Sequence, residues 1–216
     1  MIISYVTIDV EITPTEFENL KRLAPKNFIA RNDRFHRQID RLRNLFGLLL
    51  LIRSWQTHFN EIPDLELIQT SSHNRPYLAD SPADFNISHS GDYVVCILSP
   101  DSRVGIDVEY RKKVDFQDFS RTMNDRQWSE IKGSGTPFDR FFEYWCMKES
   151  VIKADGRGLS IPLTDIIFED QKVVYDGTVW HLTPFKIDAN HPGCVASNHK
   201  VNDLHLQEVH WKEFLE

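Results

Sequence analysis

The sequence predicts a mixed α/β fold of the α+β class, with two similar lobes in a pseudo-twofold arrangement and the functional site in the cleft between them. Strand patterns and helical patterns are interspersed in both halves of the chain, and turn residues join neighbouring strands. A turn at Pro100–Ser102 separates the halves. We therefore expect an N-terminal lobe of residues 1–102 and a C-terminal lobe of residues 103–216, acting as one functional unit.

Each half carries its own predicted elements, identified by an apolar period of two for strands and 3.6 for helices. The first half gives strands Ile2–Val10, Leu65–Gln69, Phe85–Ile87 and Tyr93–Leu98, helices Glu16–Leu23 and Asp40–Thr57, and a turn over Ser88–Asp92. The second half gives helices Asp125–Ile131 and Phe138–Ala154 and strands Val104–Glu109, Ile166–Phe168, Lys172–Tyr175, Val179–Pro184, Gly193–Asn198 and Leu206–Trp211. Short connections favour mostly antiparallel pairing.

Composition and charge exclude several classes of function. With 41% apolar and 26% charged residues, the 216-residue chain has the composition of an ordinary globular protein. No apolar run is long enough for a membrane span, and the net charge of −7 argues against a general nucleic-acid binder. Three scattered cysteines predict free thiols in a reducing cytoplasm. A basic segment over residues 21–53 is either a solvated helix face or an anion site.

An acidic strand is the first candidate for chemistry. In VGIDVEY, Asp107 and Glu109 are two residues apart and share one face of a strand, while Ile106 and Val108 face the core. Adjacent carboxylates repel each other unless a cation neutralises them, and Mg²⁺ prefers carboxylate oxygens. A solvated acidic edge strand is the alternative, and this pair alone favours it.

A helix in the second half offers a third carboxylate. Trp145, Glu149 and Lys153 lie along one helical stripe. An exposed Glu149–Lys153 ion pair, worth only a few tenths of a kcal/mol, is the alternative. However, aromatic residues flank the stripe, which predicts a buried helix, and buried charges need partners. We expect Glu149 to complete a three-carboxylate metal site with the acidic strand, with Lys153 beside it to hold a phosphate.

The segment FNISHSGDYVVCIL, which begins at Phe85, is the third candidate. It places Ser88 and His89 at the end of a strand beside a turn. A hydroxyl and an imidazole there can donate hydrogen bonds to phosphate oxygens. A solvated loop histidine is the alternative, and His89 taken alone favours it.

The three segments FNISHS, GIDVE and W-x-x-KES-x-x-KA-x-G-x-GL, in this order, resemble the 4′-phosphopantetheinyl transferases of the monomeric, surfactin-synthetase-activating type. The resemblance covers nearly the whole chain and is tightest at Asn86–Ser90, Gly105–Glu109 and Trp145–Leu159. Members of this family transfer the phosphopantetheine arm of coenzyme A to a serine of a carrier protein, with Mg²⁺, and release adenosine 3′,5′-bisphosphate. The resemblance implies the same activity here, with Mn²⁺ as a second usable ion.

The resemblance also implies roles for individual residues. The implied metal ligands are Asp107, Glu109 and Glu149. The implied catalytic residues are Glu149, Lys153 and His89. The implied contacts to coenzyme A are Arg31, Arg43, Arg75, Ser88, His89 and Lys153. Arg75 replaces a lysine of the family, and because arginine can fork onto a phosphate, the function is expected to persist.

Two positions depart from the pattern of the family. Phe28 stands where some relatives carry a basic residue, so one contact to the 3′-phosphate is missing. Gln127 stands where many relatives carry a glutamate that is a candidate base. Deprotonation of the acceptor serine then falls to Glu149, to a metal-bound water or to Asp125.

Two other functions stay open on the residues. One is a metal-dependent phosphohydrolase that uses the same carboxylates without an acceptor protein, and the other is a non-catalytic module that binds coenzyme A or a carrier protein. The expected partners are coenzyme A and an apo carrier protein of acyl, peptidyl or polyketide type, without nucleic acid or membrane. We expect a cytoplasmic monomer, since a cleft between two lobes of one chain needs no second subunit.

Overall fold

The computed structural model of the protein describes residues 1–8 and 12–215. Its strands are β1 (Ile2–Thr7), β2 (Ile68–Thr70), β3 (Pro76–Leu78), β4 (Asp84–Ser90), β5 (Tyr93–Ser99), β6 (Val104–Val108), β7 (Lys172–Tyr175), β8 (Thr178–Lys186), β9 (Pro192–Ser197) and β10 (His205–Glu208). Its α-helices are α1 (Pro14–Lys21), α2 (Lys26–Asn32), α3 (Gln38–Phe59), α4 (Asp125–Gly133) and α5 (Pro137–Asp155). This mixed α+β fold confirms the predicted class.

The strands of the described residues form three sheets. One four-stranded sheet has the order β10-β1-β5-β4, a second has the order β6-β9-β8-β7, and β2 pairs with β3. Neighbouring strands are antiparallel, except that β1 and β10 are parallel. Strand β10 therefore brings the C-terminal part of the chain into a sheet that otherwise consists of residues before position 100, across the predicted lobe boundary.

A long helix covers each four-stranded sheet, because the helix buries its apolar face against the sheet. Helix α3 packs against the first sheet and fully buries Leu45, Phe46 and Leu50. Helix α3 is long and largely buried. Neither α3 nor any other helix within residues 1–8 and 12–215 is both long and apolar enough to cross a bilayer. Helix α5 packs against β6 and β9, where a Cβ atom at Gly105 would lie 2.2 Å from the carbonyl oxygen of Ser150. This close approach fixes α5, and the residues it carries, against β6.

Side chains rather than a backbone ladder join the two large sheets, where β4 lies beside β6. Four side-chain oxygens of β4 accept hydrogen bonds from backbone N–H groups of the β6 segment at 2.8, 2.9, 3.4 and 2.9 Å. The pairs are Asp84 with Val104, Asn86 with Ile106, Ser88 with Val108, and Ser90 with Tyr110. Since side chains alternate along a strand, the other residues of β4, including His89, face the opposite side.

Three predicted strands differ from the structure. Ile166–Phe168 is not a strand, because Ile166 follows a 3-10 turn and its carbonyl accepts hydrogen bonds from two side chains. Leu65–Gln69 begins as a 3-10 turn and becomes β2 only at Ile68. Leu206–Trp211 is divided between β10 and a 3-10 turn that starts at Trp211.

Other differences concern short segments. Helix α2 was not predicted, because seven residues are fewer than two complete turns and show no clear helical period. The predicted turn Ser88–Asp92 is shorter in the structure, since β4 continues to Ser90 and the reversal occurs at Gly91 with φ +55°. Asp9 and Val10, predicted to end the first strand, lie outside the described residues.

Candidate active site

Asp107, on β6, lies at the centre of the candidate site and is almost completely buried. Its Oδ1 accepts hydrogen bonds from Lys153 Nζ at 2.6 Å and from Ser88 Oγ at 3.0 Å. Lys153 Nζ also donates to Ser88 Oγ at 2.9 Å, which closes a triangle of contacts. Asp107 Oδ2 is buried and has no hydrogen-bond partner among the described residues. Because a buried, unpartnered carboxylate oxygen is costly, this atom marks a position that favours a cation.

Glu109 is oriented by two hydrogen bonds from different elements. Its Oε2 accepts from Ser90 Oγ at 2.8 Å, and its Oε1 accepts from Trp145 Nε1 of α5 at 3.1 Å. Ser88 and Ser90 thus act alike, since each hydroxyl accepts from a backbone N–H of the β6 segment and donates to one carboxylate. This repeated contact sets the directions of Asp107 and Glu109.

The third predicted carboxylate, Glu149, lies on α5 between the turns of Trp145 and Lys153. Burial, followed by the negative charges of Asp107 and Glu109, raises the pKa of Glu149 to about 7, and Lys153 partly opposes this rise. Burial and then Asp107 also raise the pKa of Glu109. Burial opposes the charge of Lys153, but Asp107 and then Glu149 raise its pKa overall. The carboxylates therefore share one electrostatic environment in which a further positive charge is favourable.

The donor set fits a hard divalent cation in chemistry. Within residues 1–8 and 12–215, no three Asp, Glu, His or Cys side chains already converge with the geometry of a metal site. Nevertheless, carboxylate oxygens are the ligands that Mg²⁺ prefers, and Asp107 Oδ2 has no hydrogen-bond partner in the part of the chain that the structure describes. Asp107 repels both Glu109 and Glu149, and a bound cation would relieve this repulsion.

A pocket of about 560 Å³ lies on the other side of β4. Arg31 of α2, Arg43 of α3 and His89 of β4 contribute to its wall, together with Phe28 and other apolar side chains. Arg43 Nη2 donates to the carbonyl oxygen of Gly91 at 2.6 Å, and its Nε is buried without a partner in the described structure. Unused guanidinium donors in a largely apolar pocket suit an anionic group on an aromatic ligand.

The pocket and the carboxylate cluster are electrostatically connected through His89. Desolvation, and then the positive charges of Arg43 and Lys153, lower the pKa of His89. The pKa of His89 therefore depends on Arg43 of the pocket and on Lys153 of the carboxylate cluster. A larger pocket of about 650 Å³, between α4, α5 and β8, includes none of the predicted metal or phosphate residues.

The structure places Arg75 outside the pocket that contains Arg31, Arg43 and His89. It is absent from the pocket wall, where its neighbours Asn74 and Pro76 lie instead. Only 6% of Arg75 is exposed, and its guanidinium forms a bidentate ion pair with Asp84 at 2.8 and 2.7 Å. The pocket brings together Arg31, Arg43 and His89. The other two predicted contacts, Ser88 and Lys153, lie together at Asp107 instead.

Two residues near the motifs have structural contacts instead of facing the carboxylates. The side chain of Gln127 caps α4, accepting from the N–H of Asn124 at 3.1 Å, and donates to the carbonyl of Ile166 at 3.1 Å. Lys148 is fully buried, and its Nζ donates to the carbonyls of Leu163 and Ile166. Burial lowers the pKa of Lys148 to about 7. The two lysines of the KES motif region therefore have different surroundings, and only Lys153 contacts Asp107.

Sequence reasoning missed Ser90 and the indole N–H of Trp145 as contacts of Glu109. A signal for Ser90 was present, because Ser88 and Ser90 share a strand face. The Trp145 contact joins residues 36 positions apart, and nothing local indicates it.

Comparison with known proteins shows the family of the chain. Residues 11–101 match the family model described as 4′-phosphopantetheinyl transferase, N-terminal, and residues 103–195 match the 4′-phosphopantetheinyl transferase superfamily. The chain is 30% identical over 176 residues to the 4′-phosphopantetheinyl transferase Sfp of Bacillus subtilis (strain 168), a match that covers 78% of this chain and 73% of that protein.

Two other relatives match over smaller parts of their lengths. The 4′-phosphopantetheinyl transferase gsp of Aneurinibacillus migulanus is 33% identical, with 63% of this chain and 59% of that protein covered. The L-aminoadipate-semialdehyde dehydrogenase-phosphopantetheinyl transferase of Xenopus laevis is 31% identical, with 64% of this chain and 52% of that protein covered. The chain therefore spans between about half and three quarters of the lengths of these relatives. By these matches, the chain belongs to the 4′-phosphopantetheinyl transferase superfamily.

Proposed function

We propose that this protein transfers the 4′-phosphopantetheine group of coenzyme A to a serine of an apo acyl or peptidyl carrier protein, with Mg²⁺ or Mn²⁺, and releases adenosine 3′,5′-bisphosphate. The observation that carries the proposal is the contact among Ser88, Asp107 and Lys153, beside two further carboxylates and a pocket lined by two arginines and a histidine. Phosphoryl-type transfer requires mainly positioning and charge stabilisation, and this arrangement supplies both.

The nucleotide end of coenzyme A fits the pocket behind β4. Its apolar wall accepts the adenine ring, and the guanidinium groups of Arg31 and Arg43 pair with the 3′-phosphate. Lys153, which contacts Asp107, and His89, which lies on the pocket face of β4, bind the pyrophosphate. The donor is thereby held with its reactive phosphate next to Asp107.

Asp107, Glu109 and Glu149 would hold Mg²⁺, which when bound neutralises charge on the pyrophosphate oxygens. The serine Oγ of the carrier protein attacks the phosphorus that bears the pantetheine arm and passes its proton to a base. We assign Glu149 as this base, because Gln127 has no carboxylate and its amide is occupied by capping hydrogen bonds. The bond to the bridging oxygen breaks, and the ammonium of Lys153 stabilises the charge that develops on the leaving bisphosphate.

We also propose that the protein works as a cytoplasmic monomer. Cys96, Cys146 and Cys194 are buried free thiols, as is usual in a reducing compartment. All the residues proposed for metal, donor and proton transfer come from a single chain.

Mass spectrometry of a carrier protein tests the proposed function. The protein is mixed with coenzyme A, Mg²⁺ and an apo carrier protein, and the mass gain of phosphopantetheine on the carrier is followed. We expect Asp107→Asn and Glu149→Gln to lower the rate at least about 100-fold, whereas Glu61→Gln, a control at an exposed carboxylate, leaves it unchanged. Breakdown of coenzyme A without a mass gain would instead support a phosphohydrolase, and binding without either would support a binding module.

A further inference from the structure

The guanidinium of Arg75 uses all its hydrogen-bond donors within the chain. An arginine has five N–H donors. Nε donates to the carbonyl of Lys153 at 2.8 Å, Nη1 donates to Asp84 Oδ1 at 2.8 Å and to the carbonyl of Pro76 at 3.5 Å, and Nη2 donates to Asp84 Oδ2 at 2.7 Å and to the carbonyl of Val104 at 2.9 Å. No donor is left for a phosphate.

The charge of Arg75 is also neutralised locally. Its side chain is 5% exposed and that of Asp84 is 12% exposed, so the ion pair is mostly shielded from water. If Arg75 turned toward a phosphate in the pocket, Asp84 would keep a buried charge without its bidentate partner, which is strongly unfavourable. Burial and charge therefore both oppose a role for Arg75 in phosphate binding.

Arg75 instead satisfies the C-terminal end of α5. The last four carbonyls of a helix have no intrahelical partner. In α5 the first of these accepts from the N–H of Gly156, and the second, that of Lys153, accepts from Arg75. Arg103 completes the set, donating at 2.9 and 3.0 Å to the carbonyls of Ala154 and Asp155.

Gly156 gives Arg75 access to this position. It ends α5 with φ +93°, and a Cβ atom there would lie 2.7 Å from Cδ of Arg75. The glycine is therefore required both by the left-handed backbone and by the stem of the arginine. This contact explains one glycine of the G-x-G motif.

The same arginine also holds β6. Arg75 donates to the carbonyl of Val104, and its partner Asp84 accepts from the N–H of Val104 at 2.8 Å. Arg75 thus links the strand that carries Asp107 to the helical turn that carries Lys153. Lys153 Nζ lies 2.6 Å from Asp107 Oδ1.

We propose that Arg75 is a positioning residue: it fixes the last turn of α5 to β6 and so holds the ammonium of Lys153 against Asp107, and it does not bind a phosphate of coenzyme A. The inference rests on the proposed function for its kinetic test. Of the three arginines implied by the resemblance, this leaves Arg31 and Arg43 for recognition of the 3′-phosphate.

A comparison of coenzyme A with 3′-dephospho-coenzyme A separates the two roles. In Arg75→Lys we expect the rates with both donors to fall together, by about tenfold or more, so that the preference for the 3′-phosphate stays at its wild-type value. Arg43→Gln is the control, and its preference should fall sharply. A loss of preference in Arg75→Lys that matches the loss in Arg43→Gln would overturn the proposal.

A double-mutant cycle tests the link to Lys153. In the background of Lys153→Ala, Arg75→Lys should cause little further loss of kcat, because the group that it positions is gone. An equal fold-loss in both backgrounds would mean a general structural effect and would refute the positioning role. Gly156→Ala, which places a methyl group against the Arg75 stem, should reproduce the kinetic loss with the 3′-phosphate preference unchanged.

Hydrogen exchange gives a readout that does not need the transferase activity. In Arg75→Lys, amide exchange should rise in the last turn of α5 around Lys153 and stay unchanged in α4. If the wild-type protein transferred nothing while this local change occurred, the proposed function would fail and the positioning role would stand. Unchanged exchange at the end of α5 would overturn the positioning role.

Discussion

Gly105→Ala should separate the two elements that carry the candidate site. The added Cβ atom would lie 2.2 Å from the carbonyl oxygen of Ser150, 2.4 Å from the nitrogen of Ala154 and 2.9 Å from its Cα. Non-bonded heavy atoms need roughly 3.5 Å, so α5 must retreat from β6 by more than about 1 Å. These are backbone atoms of α5, and no change of rotamer can relieve the clash.

The magnitude of the effect follows from this displacement. Overpacking in a core lowers the free energy of unfolding by about 1–3 kcal/mol. A clash with backbone atoms should cost an amount near the upper end of this range. For a chain of this size, about 3 kcal/mol lowers Tm by roughly 6–12 °C. The retreat moves Lys153 away from Asp107, and a displacement of about 1 Å can cost roughly 100-fold in rate.

Thermal unfolding and the carrier-loading assay measure the two effects separately. Gly133→Ala is the matched control, because none of the described residues packs within 4 Å of its added Cβ atom. It should keep the wild-type rate and a Tm equal to or slightly above the wild-type value. If Gly105→Ala kept the Tm and the rate of this control, β6 and α5 could not be packed as closely as we describe.

Three further outcomes follow from the site. Ser90→Ala removes the hydroxyl that orients one strand carboxylate, so Mn²⁺ affinity, measured by electron paramagnetic resonance, should fall roughly tenfold or more; wild-type affinity would contradict this role. Gln127→Glu replaces an amide N–H donor by a carboxylate oxygen, 3.1 Å from the carbonyl of Ile166. This change should lower the free energy of unfolding by about 1–3 kcal/mol, whereas Gln117→Glu, at an exposed position, should not lower it. Equal stabilities of the two variants would refute the burial argument. Arg43→Gln should raise the pKa of His89 in an NMR titration, because the positive charge of Arg43 lowers it, and an unchanged pKa would place the two side chains farther apart than in the structure.

Side-chain periodicity made part of this site predictable. The period of two along β6 puts Asp107 on the face opposite Ile106, and the period of 3.6 along α5 puts Glu149 and Lys153 on one stripe. These rules act within one element and therefore need no knowledge of the fold. That β6 and α5 lie together rested on the argument that buried charges need partners and on the family resemblance, because no local signal pairs segments some 40 residues apart.

Contacts between distant segments explain what the sequence did not predict. The fragment around Arg75 shows a basic residue before a proline, but its partners Asp84, Val104 and Lys153 lie 9 to 78 positions away. Likewise, Ile166 lies in a segment with an apolar strand pattern, yet its carbonyl serves as an acceptor for buried side chains. Tertiary hydrogen bonds of this kind override local propensity.

Strand β4 connects the two functional parts of the site because its side chains point alternately to opposite faces. On one face, the side chains of Asn86, Ser88 and Ser90 accept from N–H groups of the β6 segment. The two serine hydroxyls also donate to its carboxylates. On the other face, Ile87 and His89 line the pocket. Short side chains with an acceptor oxygen suit the first face because they reach the N–H groups of β6, and the serine hydroxyls also have a proton to donate to a carboxylate. A one-residue shift of β4 would exchange the two faces and disrupt both parts together, which explains why the FNISHS segment carries chemistry at consecutive positions.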